Sequence, residues 1–150
     1  MTTLLKTLST VSAVGAGLIA GTFFIFSVVI MPALAKGNPE HSVQVMRTIN
    51  DVILRSPFMP VFGITSLLCF VLPLMMGVSK VPSLGWTVVG AAIFLVGVFG
   101  VTMAFNVPLN VRLDGDAKVW TEYLSAWTFW NHVRALASTA AMAIWILNRV

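Results

Sequence analysis

Two short segments hold most of the residues whose type and spacing could do chemistry. The first is Asn106-Val107-Pro108-Leu109-Asn110. Pro108 has no N–H to donate and frees a carbonyl one turn back. If the helix continues past it, Asn106 and Asn110 share a face and can line a polar pocket. If the helix stops there, the same pair caps it at a membrane boundary. The second segment is Trp127-Thr128-Phe129-Trp130-Asn131-His132-Val133-Arg134. Trp120, Tyr123, Trp127, Trp130 and Arg134 are spaced three, four, three and four apart. On one continuous helix they form a stripe, with Asn131 beside it. Taken alone, the tryptophans of such a stripe suit an aromatic belt at headgroup level. Arg134 either snorkels to the headgroups or faces inward and needs an acceptor. No carboxylate falls within any long apolar stretch. An inward Arg134 would therefore meet backbone carbonyls, Asn106, Asn110 or an anionic ligand. Imidazole exchanges protons near neutral pH, so His132 is the candidate base, although a lone histidine at a helix start is as readily just hydrogen-bonded.

Other chemistries lack their parts. The chain has two histidines, His41 and His132, and one cysteine, Cys69. Neither a metal-ligand spacing nor a paired intramembrane carboxylate is present, so no metal and no cofactor is expected. Phosphate-binding glycine loops and hydrolase elbows are absent too. Nine basic residues scattered singly argue against nucleic acid as a partner and read as membrane-flanking charge.

The elements that position these segments are membrane helices. Of 150 residues, 58% are apolar and 9% charged, with a mean hydropathy of +0.94. Fourteen charges cannot clothe a soluble domain of this size. The uncharged stretches predict spans over about 8–32, 57–78, 84–106 and 128–148. The expected architecture is all-α, a single four-helix membrane bundle over residues 1–150. Between the first two spans, Asn38-Pro39 predicts an N-cap and helix start. The amphipathic helix that follows, over about 39–55, lies at the interface. Its expected apolar face is Val45, Met46, Ile49, Val52 and Ile53, and its polar face Gln44, Arg47, Thr48, Asp51 and Arg55. Gly17 and Gly21, and Gly90 and Gly97, have spacings that let helices approach closely. Ala33-Leu34-Ala35 looks like a signal-peptidase site, but the apolar run before it is too long for a leader. Lys and Arg counts place the side of Lys36, Arg47 and Arg112 in the cytoplasm, whereas the absence of acids from the terminal side argues the reverse.

Taken together, these segments resemble the anthrone oxygenase family of small four-helix membrane proteins. The likeness rests on Gly17-Leu-Ile-Ala-Gly-Thr-Phe-Phe-Ile-Phe-Ser27, Met31-Pro-Ala-Leu34, Ile49-Asn50 after Met46, Asn106-Val-Pro-Leu-Asn110 and Trp127-Thr-Phe-Trp-Asn-His-Val-Arg134. The resemblance implies a protein of the lipid bilayer, in a bacterial inner membrane, that oxidises a hydrophobic aromatic small molecule with O₂ without a cofactor. Under it, Trp127 and Trp130 would stack on substrate and His132 would remove a proton. Arg134 would stabilise the enolate with Asn106, Asn110 and Asn131, and Asn50 would complete the rim. Two other classes stay open: a non-enzymatic module that binds a lipid or quinone or supports a partner complex, and a small carrier of an apolar solute. A carrier needs a pocket reachable from both sides, and a module predicts that the polar residues scatter.

Overall fold

The computed structural model describes residues 2–148, and every element among them is helical. Helix α1 (Thr2–Ile25) runs through a π-helical turn, Phe26–Ile30, into α2 (Met31–Lys36). Then come α3 (Pro39–Leu54), α4 (Phe58–Val78) and α5 (Leu84–Phe94). Two π-helical turns, Leu95–Gly100 and Thr102–Asn106, carry α5 on into α6 (Val107–Gly115). A 3₁₀ turn, Ala117–Val119, leads into α7 (Trp120–Leu147).

Three helices are long and apolar enough to cross a membrane: Thr3–Lys36, Phe58–Val78 and Leu84–Gly115. Their outer faces carry exposed Leu18, Phe24, Leu67, Phe70, Leu74 and Val96, which suits lipid and not water. These three helices fit a membrane protein. Helix α7 is as long but carries Glu122, Asn131, His132 and Arg134, and it is not among those three. It packs along α1 and α5, each of which also packs on α4. Ser138 Oγ ties it to the Ala16 carbonyl of α1 at 2.8 Å.

Glycine placement partly follows the sequence expectation. A Cβ on Gly90 would run into the Trp145 indole, and one on Gly97 into Ala137, so both let α7 approach. Gly21 meets nothing, and Gly15 holds the tightest contact instead, against Thr65 of α4.

Two of the π turns share a cause. Each ends just before a proline, Pro32 or Pro108, whose missing N–H would leave a gap in the regular ladder. Just ahead of each proline the wider turn takes bonds five residues back, from Met31 N–H to the Phe26 carbonyl and from Val107 N–H to the Thr102 carbonyl. The helix therefore continues through Pro108.

Helix α3 starts as the sequence predicts. Asn38 Oδ1 accepts from the N–H groups of Glu40 and His41, at 3.0 and 3.2 Å. Its buried face is rotated from the expected one. Ser42, Val43 and Met46 are buried, while Val45 and Val52 are exposed. The reason is Arg47, assigned to the outer face from its charge. It turns toward α6 and donates to the Leu113 carbonyl from both Nε and Nη2. A second clamp joins α6 to α7, where Arg112 meets Glu122 in a two-pronged pair at 2.9 Å.

Candidate functional site

A cavity of about 320 Å³ lies where the end of α1, helix α3, the start of α4, the turn Thr102–Asn106 and α7 meet. Its walls are apolar and largely aromatic: Phe23, Phe26, Phe58, Phe62, Met46 and Trp127. Five polar side chains reach it, namely Arg134, Thr102, Thr22, Asn50 and Asn110. The volume falls at the lower end of small-molecule sites, which run from about 300 Å³ upward.

Arg134 is 5% exposed. Its Nη2 donates to Asn131 Oδ1 at 2.7 Å and its Nη1 to Thr102 Oγ1 at 3.3 Å. The guanidinium carbon sits 4.1 Å from the Phe23 ring centre and 5.1 Å from that of Trp127. Its Nε is buried without a partner. Among the described residues the one ion pair is Arg112–Glu122, so Arg134 faces no carboxylate. The polar groups that hold it are fixed. Asn131 Nδ2 donates to the Phe23 carbonyl and to Ser27 Oγ, both at 2.7 Å. Since a carbonyl can only accept, the amide orientation is settled and its oxygen turns to Arg134. The Thr102 hydroxyl donates to the Val98 carbonyl, so toward Arg134 it can only accept. The arrangement presents one uncompensated positive charge to an apolar cavity.

The two asparagines around Pro108 both grip Trp127. Asn106 Nδ2 donates to its carbonyl at 3.2 Å. Asn110 Oδ1 accepts from the indole Nε1 at 2.9 Å and from the Tyr123 hydroxyl at 2.9 Å. The indole is donor-only, so this amide orientation is settled too, and Asn110 has only its N–H groups left for a ligand. Asn50 Nδ2 is buried with no partner. Side chains that carry unused donors, Arg134, Asn50 and Asn110, thus line the cavity. No carboxylate and no histidine lines it. Chemically, donors set in an apolar wall can hold a molecule that bears oxygen acceptors.

The anthrone oxygenase family model matches residues 52–144, more than half of the chain. The chain belongs to the anthrone oxygenase family. No curated protein and no solved structure matches it.

In this anthrone oxygenase family member the structure brings Asn50, Asn110, Trp127 and Arg134 to the cavity wall. Asn106 and Asn131 stand behind it, fully buried, and hold Trp127 and Arg134 in place. Trp130 and His132 lie elsewhere. The Trp130 ring stacks on Phe105, centroids 3.6 Å apart and planes 9° off parallel. His132 is exposed, in a shallow outer groove with Pro32 and Phe129. Helical geometry accounts for both. Each residue turns about 100° around the axis. The inward line of α7 runs Trp120, Tyr123, Trp127, Asn131, Arg134, with steps of three, four, four and three, so Trp130 and His132 flank it on either side. The sequence stripe took Trp130 where Asn131 belongs. The residues that sequence reasoning missed are the aromatics of α1 and α4, together with Ser27 and Thr102. Their one trace was the Phe-rich end of the first span, whose inward and lipid faces look alike in composition. The matched region covers Asn106 to Arg134 but excludes Asn50 and all of α1.

Proposed function

We propose that this protein oxidises a flat, enolisable aryl ketone of the anthrone type with O₂ inside the cavity. The observation that carries the reading is Arg134, a buried guanidinium without a carboxylate partner in an aromatic-walled cavity of a chain from this family. The substrate lies against Trp127 with its ketone oxygen toward Arg134. Loss of a methylene proton turns the ketone into an enolate, and the negative charge develops on the oxygen that the guanidinium faces. With no side-chain base on the cavity wall, the proton passes to water, and stabilisation of the enolate does the work first assigned to His132. The carbanion carbon gives its electrons to O₂ and forms a C–O bond. The peroxide oxygen takes up a proton, the O–O bond breaks, the carbon loses its second hydrogen, and water leaves. One methylene and one O₂ become one carbonyl and one water.

This reading places α7 as a fourth span, making a single four-helix bundle with α3 as its interfacial cap, in a bacterial inner membrane. The inward direction of Asn131, Arg134 and Ser138 supports it, since beyond His132 the exposed positions of α7 are then Leu136, Thr139, Ala140, Ile146 and Leu147. A carrier is disfavoured because the core cluster of Ala16, Ile19, Phe94 and Trp145 fills the bundle on the far side of the cavity. The donor-bearing lining also suits a module that merely holds a quinone, and one assay separates the two. Purified protein in nanodiscs is given anthrone while O₂ uptake and anthraquinone absorbance are followed. A rate above the spontaneous one, lost in Arg134→Ala, is expected. Anthraquinone binding without any enzymatic O₂ uptake would replace the oxygenase reading with the quinone module.

A further inference from the structure

We infer that the cavity is loaded sideways from the bilayer, through a portal between the α3–α4 corner and the end of the third long helix. The inference rests on the proposed function for the identity of the ligand, but not for the geometry. Of the residues that line the cavity, four are exposed: Leu54, Met59, Met103 and Val107. All are apolar, at 64, 37, 54 and 39% exposure. They come from two sides, Leu54 and Met59 from the end of α3 and the first turn of α4, Met103 and Val107 from the turn and helix start around Asn106. The one charged lining residue, Arg134, is at the buried end. A mouth that opened to water would expose polar groups at its rim, whereas this one exposes two thioethers and two aliphatic chains, with Met59, Met103 and Val107 on helices long and apolar enough to cross a membrane. A flat apolar molecule dissolved among lipid chains meets no polar barrier on entry. Once inside, its oxygen reaches the guanidinium. The ligand class is therefore a bilayer-partitioned aromatic ketone, not a water-borne one.

The test places a nitroxide at Met103→Cys and, separately, at Met59→Cys, each on a Cys69→Ala background, in nanodiscs. A Lys118→Cys label serves as the water-exposed standard. The portal labels are expected to collide freely with dissolved O₂ and at least tenfold less than the Lys118 label with a water-soluble nickel chelate. Added anthraquinone is expected to narrow their motion. Nickel collisions equal to the standard at both positions would show a mouth open to water and overturn the inference. So would unchanged label motion while Trp fluorescence reports anthraquinone bound. Absence of any anthraquinone binding by fluorescence would instead count against the proposed function, leaving the nickel result to judge the portal alone.

Discussion

Replacing Arg134 by methionine should separate fold from function. Methionine keeps a flexible side chain of similar length and removes the charge. In the native protein the guanidinium makes two aromatic contacts, through Phe23 and Trp127, worth about 0.5–2 kcal/mol each. It also makes two charge-assisted hydrogen bonds, to Asn131 and Thr102, worth about 1.5–3 kcal/mol each. Opposing these is the desolvation of an unpaired cation, several kcal/mol. The two sides are of similar size, so Arg134→Met should shift stability by no more than about 2 kcal/mol in either direction. The reaction should suffer far more, because the group facing the developing enolate is gone, and about 10²–10³ in rate is expected to be lost. Cys69, the lone thiol, is buried and reports unfolding through a thiol-reactive fluorophore, so stability and rate are measured on one preparation. Arg134→Lys should recover only part of the rate, since an ammonium cannot span Asn131 and Thr102 as the planar fork does. The reasoning is refuted if Arg134→Met keeps the wild-type rate per folded molecule. It is equally refuted if the variant fails to fold while Arg134→Lys behaves as wild type in both measurements, which would make the charge purely structural.

Three further outcomes are expected. Asn50→Leu removes an unpartnered buried donor, so the thiol-reporter midpoint should hold or rise while KM increases about tenfold for a ketone with a second oxygen acceptor, the loss of one hydrogen bond. His132→Ala should leave the rate within about twofold of wild type, as its ring is exposed outside the cavity; a larger fall would restore the imidazole as the base. The Arg112 guanidinium, hydrogen-bonded to Glu122, holds that carboxylate below its ordinary range. Its contribution to stability is therefore present at neutral pH and is lost as the pH falls through the lowered value. Thermal midpoints across pH 3–7 should show that acid loss, and Glu122→Gln should remove that part of it.

Much of the architecture was legible because membrane helices announce themselves by run length. Charge-free stretches located three long apolar helices, and the Asn38-Pro39 signal located the start of α3. Rotation about a helix axis was less legible. On α3, polarity was read as direction, but in a membrane protein the outward face is also apolar, so Val45 and Val52 carried no information about the core. Arg47, a charge, faces another helix because a carbonyl near the end of α6 needs a donor. On α7 the error was one position, Trp130 for Asn131, because a three-residue and a four-residue step suit the pattern equally until neighbours decide. The π turns could not be read at all. Pro32 and Pro108 announced a disturbance, and only packing determines whether a helix stops there or widens and goes on.

The widened turns tie the fold to the site. Two of the three contain a residue of the network around the charge: Phe26–Ile30 contains Ser27, which holds Asn131, and Thr102–Asn106 contains Thr102, which accepts from Arg134. A regular helix repeats every 3.6 residues and would keep the side chains after each proline in register with those before it. One wider turn resets that register. Across the first such turn Phe23 and Ser27, four residues apart, face inward together, and the third long helix presents Thr102, Asn106 and Asn110 to α7 in succession. All of the groups that fix Arg134 are uncharged: two amides or hydroxyls and two rings. A single carboxylate among them would neutralise the guanidinium and stabilise the fold more simply, but it would leave nothing for an enolate to complete. The scarcity of acidic residues therefore also leaves Arg134, the one buried cation among the described residues, without a carboxylate, as the proposed enolate chemistry requires.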